Sequence, residues 1–154
     1  MLLEFMNIIR RDMIACGVHC GSKQECLQSM TRMLEVGGIV SSAEEFLIAV
    51  NEREKALSTG IGYRIAIPHA YSKTALQLKT AVYLLDNEID FDALDGQSVR
   101  LVLMTAIPEK DMRSYPELLK RLSGLLQQET TRKQLLEATG ADEMFEILKR
   151  LNED

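Results

Sequence analysis

A chain of 154 residues, 46% apolar and 27% charged, has enough material for one substantial core and the composition of an ordinary globular protein. Its formal net charge of −5 and pI near 5.2 argue against nucleic acid or an anionic membrane surface as the main partner. No apolar run nears the ~20 residues that span a bilayer, and in MLLEFMNIIRRDM the arginines follow the apolar part, the reverse of a secretion signal, so direct membrane insertion is not expected and the cytoplasm is.

In chain order, residues 2–9 have the pattern of a short amphipathic helix, and DMIACGV that of a strand. Cys16, Cys20 and Cys26 surround His19. These are zinc-ligand types, but no C-x-x-C pair is present and no second cluster supplies the other half of a site, so they read as reduced structural thiols without a metal. Ser22 with Glu25 is a capping box, Leu27, Met30 and Leu34 follow at helical spacing, and Gly37–Gly38 ends that helix. Ser42 with Glu45 repeats the signal and opens a second helix to about Leu57.

The texture then changes to three short runs, RIAIP, LKTAVYLLD and VRLVLMTAIP, of strand length. The acidic DNEIDFDALDG between the last two reads as a solvated connection with a turn at Asp95–Gly96. Beyond Pro108, Leu118, Leu122 and Leu125 mark one helical stripe, and Met144, Leu148 and Leu151 another. Helices flanking a few apolar strands predict an α/β layered domain with a central mixed sheet, and the lack of repeats or linkers predicts one domain over residues 1–154.

Most catalytic motifs are missing: there is no G-x-G-x-x-G, P-loop, G-x-S-x-G or H-E-x-x-H. His69 stands out in TGIGYRIAIPHA. Pro68 ends the run abruptly, so His69 projects from a strand end, where α/β domains commonly place ligand-binding groups. Gly60 and Gly62 let the backbone turn tightly or be approached closely. On these features alone, a partly buried histidine bonded to a carbonyl explains the residue at least as well. On the second helix, about 100° per residue places Arg53 at about −20°, beside Phe46 at 0°, Leu57 at about 20° and Val50 at about 40°, inside the stripe expected to be buried, with Glu54 towards its margin. An arginine there needs an anionic partner, either a carboxylate or a phosphoryl group.

With those residues in hand, the chain resembles the enzyme IIA domain of the fructose–mannitol class of the bacterial phosphoenolpyruvate:sugar phosphotransferase system. The resemblance rests on Arg53–Glu54, STGIGYRIAIPHA and DGQSVRLVLMTAIP, and extends over nearly the whole chain. It implies a phosphotransferase that works without metal or organic cofactor. His69 would take a phosphoryl group from phospho-HPr and pass it to a cysteine of enzyme IIB, and so through the membrane IIC component to a sugar during uptake. Arg53 would bind the phosphoryl oxygens, with Glu54, Thr59, Gly60, Gly62 and Pro68 supporting the motif. Neutral imidazole is a competent nucleophile, and phosphoryl transfer asks the protein mainly for positioning and charge stabilisation, for which Arg53 and the amides of the glycine-containing loop are the expected donors. Where the family carries a second histidine this chain has Tyr115, either a hydrogen-bond donor to the phosphoryl group or a cap on the helix surface ahead of Pro116. Ala70 stands where glycine is frequent. A regulatory module that signals its phosphorylation state by docking onto other proteins is the alternative function.

Overall fold

The computed structural model describes residues 7–153. The helix expected over residues 2–9 falls largely outside them, and from Ile9 the chain is already strand: β1 runs Ile9–Val18 and takes in DMIACGV. Helix α1 (Lys23–Val36) starts as predicted, with the Ser22 hydroxyl accepting from Glu25 N at 3.1 Å. Glu25 returns the bond one residue earlier than a standard capping box, to Gly21 N at 3.1 Å. Helix α2 (Ala43–Ala56) is likewise capped by Ser42, which accepts from Glu45 N.

Three short strands follow, β2 (Gly60–Gly62), β3 (Ile65–Ala66) and β4 (His69–Tyr71). Two long ones come next, β5 (Lys79–Ile89) and β6 (Val99–Ile107). Helices α3 (Tyr115–Leu126), α4 (Glu129–Leu136) and α5 (Ala141–Glu153) close the described chain. The sheet order is β1-β5-β6-β3-β2, with β4 also pairing β6. Strands β3 and β4 run parallel to β6, β5 antiparallel to it, and β1 parallel to β5, which makes the sheet mixed as expected.

Both faces of the two central strands are covered, and the period-two pattern shows it. Ala81, Tyr83, Leu85, Val102, Met104 and Ala106 pack with the side chains of α1 and α2. Val82, Leu84, Leu101, Leu103 and Ile107 pack with those of α3, α4 and α5. In the middle, Thr80 and Thr105 face each other in register, buried, their hydroxyls 2.7 Å apart, so each satisfies the other in the core.

The acidic connection is more structured than its charge suggests. Strand β5 continues through Asn87, Glu88 and Ile89, and Ile89 and Phe91 are core residues. Two buried apolar positions among six polar ones are enough to tie the segment down. The turn at Asp95–Gly96 forms: Gly96 N bonds Ala93 O at 3.0 Å, and Gly96 takes φ of 73°. Among the described residues no helix is long and apolar enough to cross a membrane.

Candidate functional site

The segment from Thr59 to His69 is held by backbone bonds on both sides of the proline. Ile67 N donates to Thr59 O at 3.0 Å, and Thr105 N donates to Pro68 O at 3.0 Å. Pro68 has no N–H to give, so the strand breaks there and resumes as β4, with His69 paired to Thr105. The histidine thus sits beside the most buried strand of the sheet rather than on a free loop.

Its ring is more enclosed than a strand-end position suggests, since the residue is only 7% exposed. Nδ1 lies 2.9 Å from Ile67 O. A carbonyl oxygen only accepts, so Nδ1 carries the hydrogen and the lone pair of the neutral ring is on Nε2. Among the described residues no buried side-chain nitrogen or oxygen lacks a hydrogen-bond partner. Nε2 has no such partner, so it is on the ring edge that still meets solvent. The Tyr115 ring lies against the imidazole, centroids 5.5 Å apart and planes tilted by 47°.

Burial pushes the His69 pKa below its ordinary 6.5, opposed by the bond to Ile67 and reinforced by the Arg53 cation. The neutral, nucleophilic form is therefore the resident one at pH 7. The unfolded chain binds a proton here below about pH 6.5 while the fold resists it. The stabilisation from this residue is thus complete above that pH and declines as the pH falls towards the folded pKa. NMR titration of the His69 ring protons should give a midpoint below 6.5; a midpoint at or above it contradicts this placement.

Arg53 differs from its expected setting. The buried face of α2 is made by Phe46 and Val50, and Leu57, next on the same stripe, is 55% exposed. The helix leaves the core one turn before the wheel predicts, so Arg53 is half-buried. It needs no carboxylate, because Nη1 donates to Leu57 O at 2.8 Å, a carbonyl at the helix C-terminus. Nε and Nη2 have no protein acceptor among the described residues and, by the same reasoning as for His69 Nε2, reach solvent. The Arg53 charge acts on both His69 and Tyr115, lowering the pKa of each.

Glu54 is the buried member of the pair, its side chain 5% exposed. It accepts from Thr59 N at 3.2 Å and from the Thr59 hydroxyl, and it pairs with Lys23 Nζ at 2.8 Å. Lys23 also lies 4.7 Å over the Phe91 ring. Glu54 therefore fastens the end of α2 to α1 and to the strand leading into His69. Glu54→Ala should cost about 3 kcal/mol in denaturant unfolding, because two donors of Thr59 lose their partner while Lys23 loses its nearer carboxylate and keeps only the longer contacts to Asp92 and Phe91 O; a loss under about 1 kcal/mol contradicts the bracing role.

The glycines serve the same segment by packing. A Cβ on Gly60 would stand 2.9 Å from Ala93 Cα, and Gly62 holds φ of 94° beside Asp95. Three of the loop amides expected to stabilise an anion are already used: Thr59 N by Glu54, Gly60 N by Ser58 Oγ and Tyr63 N by Asp95.

Tyr115 does not cap a helix surface. It is 2% exposed, and burial raises its phenol to about 12, opposed by the Thr105 side chain. The phenol is thus a donor at any physiological pH. Thr105, Lys23 and the half-exposed Tyr71 belong to this neighbourhood and had no signal in the sequence beyond a threonine inside an apolar strand. His19 is on the surface, Nδ1 3.1 Å from Asp86. Cys20 and Cys26 are buried free thiols and Cys16 is half-buried; among the described residues no group of three or more His, Cys, Asp or Glu side chains is arranged to hold a metal.

A neutral imidazole with Nε2 at the surface, a guanidinium with two unengaged donors and a phenol that keeps its proton lie in one neighbourhood. Comparison with known proteins gives the family. The family model described as "Phosphoenolpyruvate-dependent sugar phosphotransferase system, EIIA 2" matches residues 7–151. The chain is 32% identical to a fructose-specific EIIABC component of the phosphotransferase system from Bacillus subtilis (strain 168), over 96% of its own length but only 23% of that relative's. It is 31% identical to a nitrogen regulatory protein homolog from Haemophilus influenzae, covering 96% of this chain and 92% of the relative. The crystal structure of nitrogen regulatory protein IIA-Ntr from Neisseria meningitidis superposes with a TM-score of 0.85 at 29% identity, covering 92% of this chain and 96% of that one.

Proposed function

The chain belongs to the EIIA 2 family of the phosphoenolpyruvate-dependent sugar phosphotransferase system, and we propose that residues 1–154 act as one cytoplasmic phosphocarrier unit with His69 as the phosphorylated residue. The observation that carries this reading is the Nδ1–Ile67 bond, which leaves the Nε2 lone pair at the solvent edge. Nε2 attacks the phosphorus of phospho-HPr, the new N–P bond forms as the bond to the donor breaks, and Nδ1 keeps its hydrogen. The free donors of Arg53 take up charge on the phosphoryl oxygens, the main demand of such a transfer. In the second half of the cycle a IIB cysteine thiolate attacks the same phosphorus and His69 returns to the neutral state, the group then reaching the sugar through the IIC component.

Incubation with phosphoenolpyruvate, enzyme I and HPr should add one phosphoryl group per chain; an unmodified chain overturns the reading. The Tyr115 hydroxyl is assigned as a further donor to the phosphoryl group. Tyr115→Phe should slow single-turnover phosphorylation about tenfold, the worth of one hydrogen bond to a charged group; an unchanged rate confines the residue to packing against His69.

A second reading draws on the similarity to the two nitrogen regulatory proteins. In that reading the same phosphohistidine reports metabolic state by docking, and transfer to a IIB cysteine is absent. Adding IIB domains to the labelled protein separates the two.

A further inference from the structure

A second polar cleft lies at the other end of β3 and β6 from His69, between the Tyr63–Arg64 turn and α4, with a volume of about 640 Å³. Arg64 O accepts from Arg100 N, five residues before Thr105 on β6, so the cleft is about 15 Å from the His69 level of the sheet. Arg64, Arg100, Arg132 and Lys133 line it, against the carboxylates of Glu129 and Glu137. Four cations in one depression run against the net charge of −5.

Two of the arginines are fixed by backbone carbonyls. Arg100 donates from Nε to Leu85 O and from Nη1 to Leu136 O, each at 3.0 Å. Arg132 donates from Nη1 to Leu126 O at 3.2 Å and Gln127 O at 2.6 Å, and lies 3.9 Å over the Tyr63 ring. Both are half-buried, and among the described residues neither is paired with a carboxylate. Among the described residues Arg100 Nη2 and Arg132 Nε and Nη2 have no protein acceptor and no buried side-chain nitrogen is without one, so these donors meet solvent. Capping the ends of α3 and α4 explains one edge of each guanidinium. It does not explain why the unengaged edges line the same cleft as Arg64 and Lys133.

The backbone supplies an independent sign. Tyr63 and Arg64 are consecutive non-glycine residues with φ of 58° and 69°. Such strain persists where surroundings enforce it, and here they do: Asp95 takes Tyr63 N, Arg132 covers the Tyr63 ring, and Glu88 pairs with Arg64. The strained pair places an aromatic ring and a cation on the cleft.

We propose that this cleft binds a small phosphate ester that carries hydroxyl groups, its phosphate held by Arg100 and Arg132 and its hydroxyls by Glu129 and Glu137. Prefixed guanidinium forks suit phosphate, carboxylates suit sugar hydroxyls, and the volume is that of a small-molecule site. Because the cleft is remote from His69, occupancy and phosphorylation are compatible.

The test is an amide NMR titration of the full chain with fructose 6-phosphate, ADP and inorganic phosphate as separate probes. Saturable shifts at Tyr63, Arg64 and Arg132 are expected with at least one ester, more tightly than with inorganic phosphate, and the tighter of the two esters identifies a sugar phosphate or a nucleotide as the source. Arg132→Gln should weaken binding about tenfold or more. Lys133→Ala, at an exposed position that caps nothing, should weaken it a few-fold with an unchanged melting temperature. No saturation with either ester, inorganic phosphate binding as tightly as both, or affinity untouched by Lys133→Ala and Arg132→Gln would each overturn the proposal.

Discussion

His69→Gln should abolish incorporation of phosphoryl groups from phosphoenolpyruvate, enzyme I and HPr while leaving a folded protein. The amide side chain can still donate towards Ile67 O, but it offers no nucleophilic nitrogen, and nothing else in the neighbourhood does. The phenol of Tyr115 is held in its protonated form by burial, with a pKa near 12, and the Thr105 hydroxyl is engaged with Thr80. The lost ring contact with Tyr115 should cost about 1–2 kcal/mol, well short of unfolding a domain of this size. Mass spectrometry of the intact chain with a parallel thermal melt checks both parts. Residual label on the variant would move the acceptor elsewhere, with the exposed His19 as the first place to look.

Arg53→Ala should slow phosphoryl acceptance by about 10²–10³-fold, the usual consequence of removing one donor from developing negative charge. The fold should hardly notice, because the side chain contributes one exposed bond to Leu57 O, worth about 1 kcal/mol. A second readout separates positioning from packing. Since the Arg53 cation depresses the His69 pKa, the alanine variant should titrate at higher pH than wild type. Arg53→Lys should restore the electrostatic shift in part, but not the paired geometry of a guanidinium, and so recover little of the rate. A fully active Arg53→Ala would leave the phosphoryl group without its assigned cation.

Much of the fold was legible because its signals are local. Ser22 and Ser42 cap their helices by accepting from amides three residues on, within four consecutive residues, and Pro68 breaks the strand by its own chemistry. What the sequence hid depends on neighbours far along the chain. A helical wheel has no knowledge of where α2 leaves the core, so Arg53 looked buried, whereas its partner is a helix-end carbonyl. Acidic residues around Ile89 and Phe91 masked the extension of β5. The bracing of Glu54 by Lys23 joins positions 31 residues apart, and the contact of Tyr115 with His69 joins α3 to β4; no spacing rule reaches that far. The enclosure of the His69 ring and its bond to a carbonyl were one of the two readings the sequence allowed at a strand end.

The most direct measurement is a long-range ¹H–¹⁵N correlation spectrum of the phosphorylated protein with labelled histidine. The phosphoryl group should appear on Nε2 of His69, with a persistent proton on Nδ1 from the bond to Ile67 O. A phosphoryl group on Nδ1, or an unmodified His69 ring in a protein that has taken up phosphate, would contradict the account.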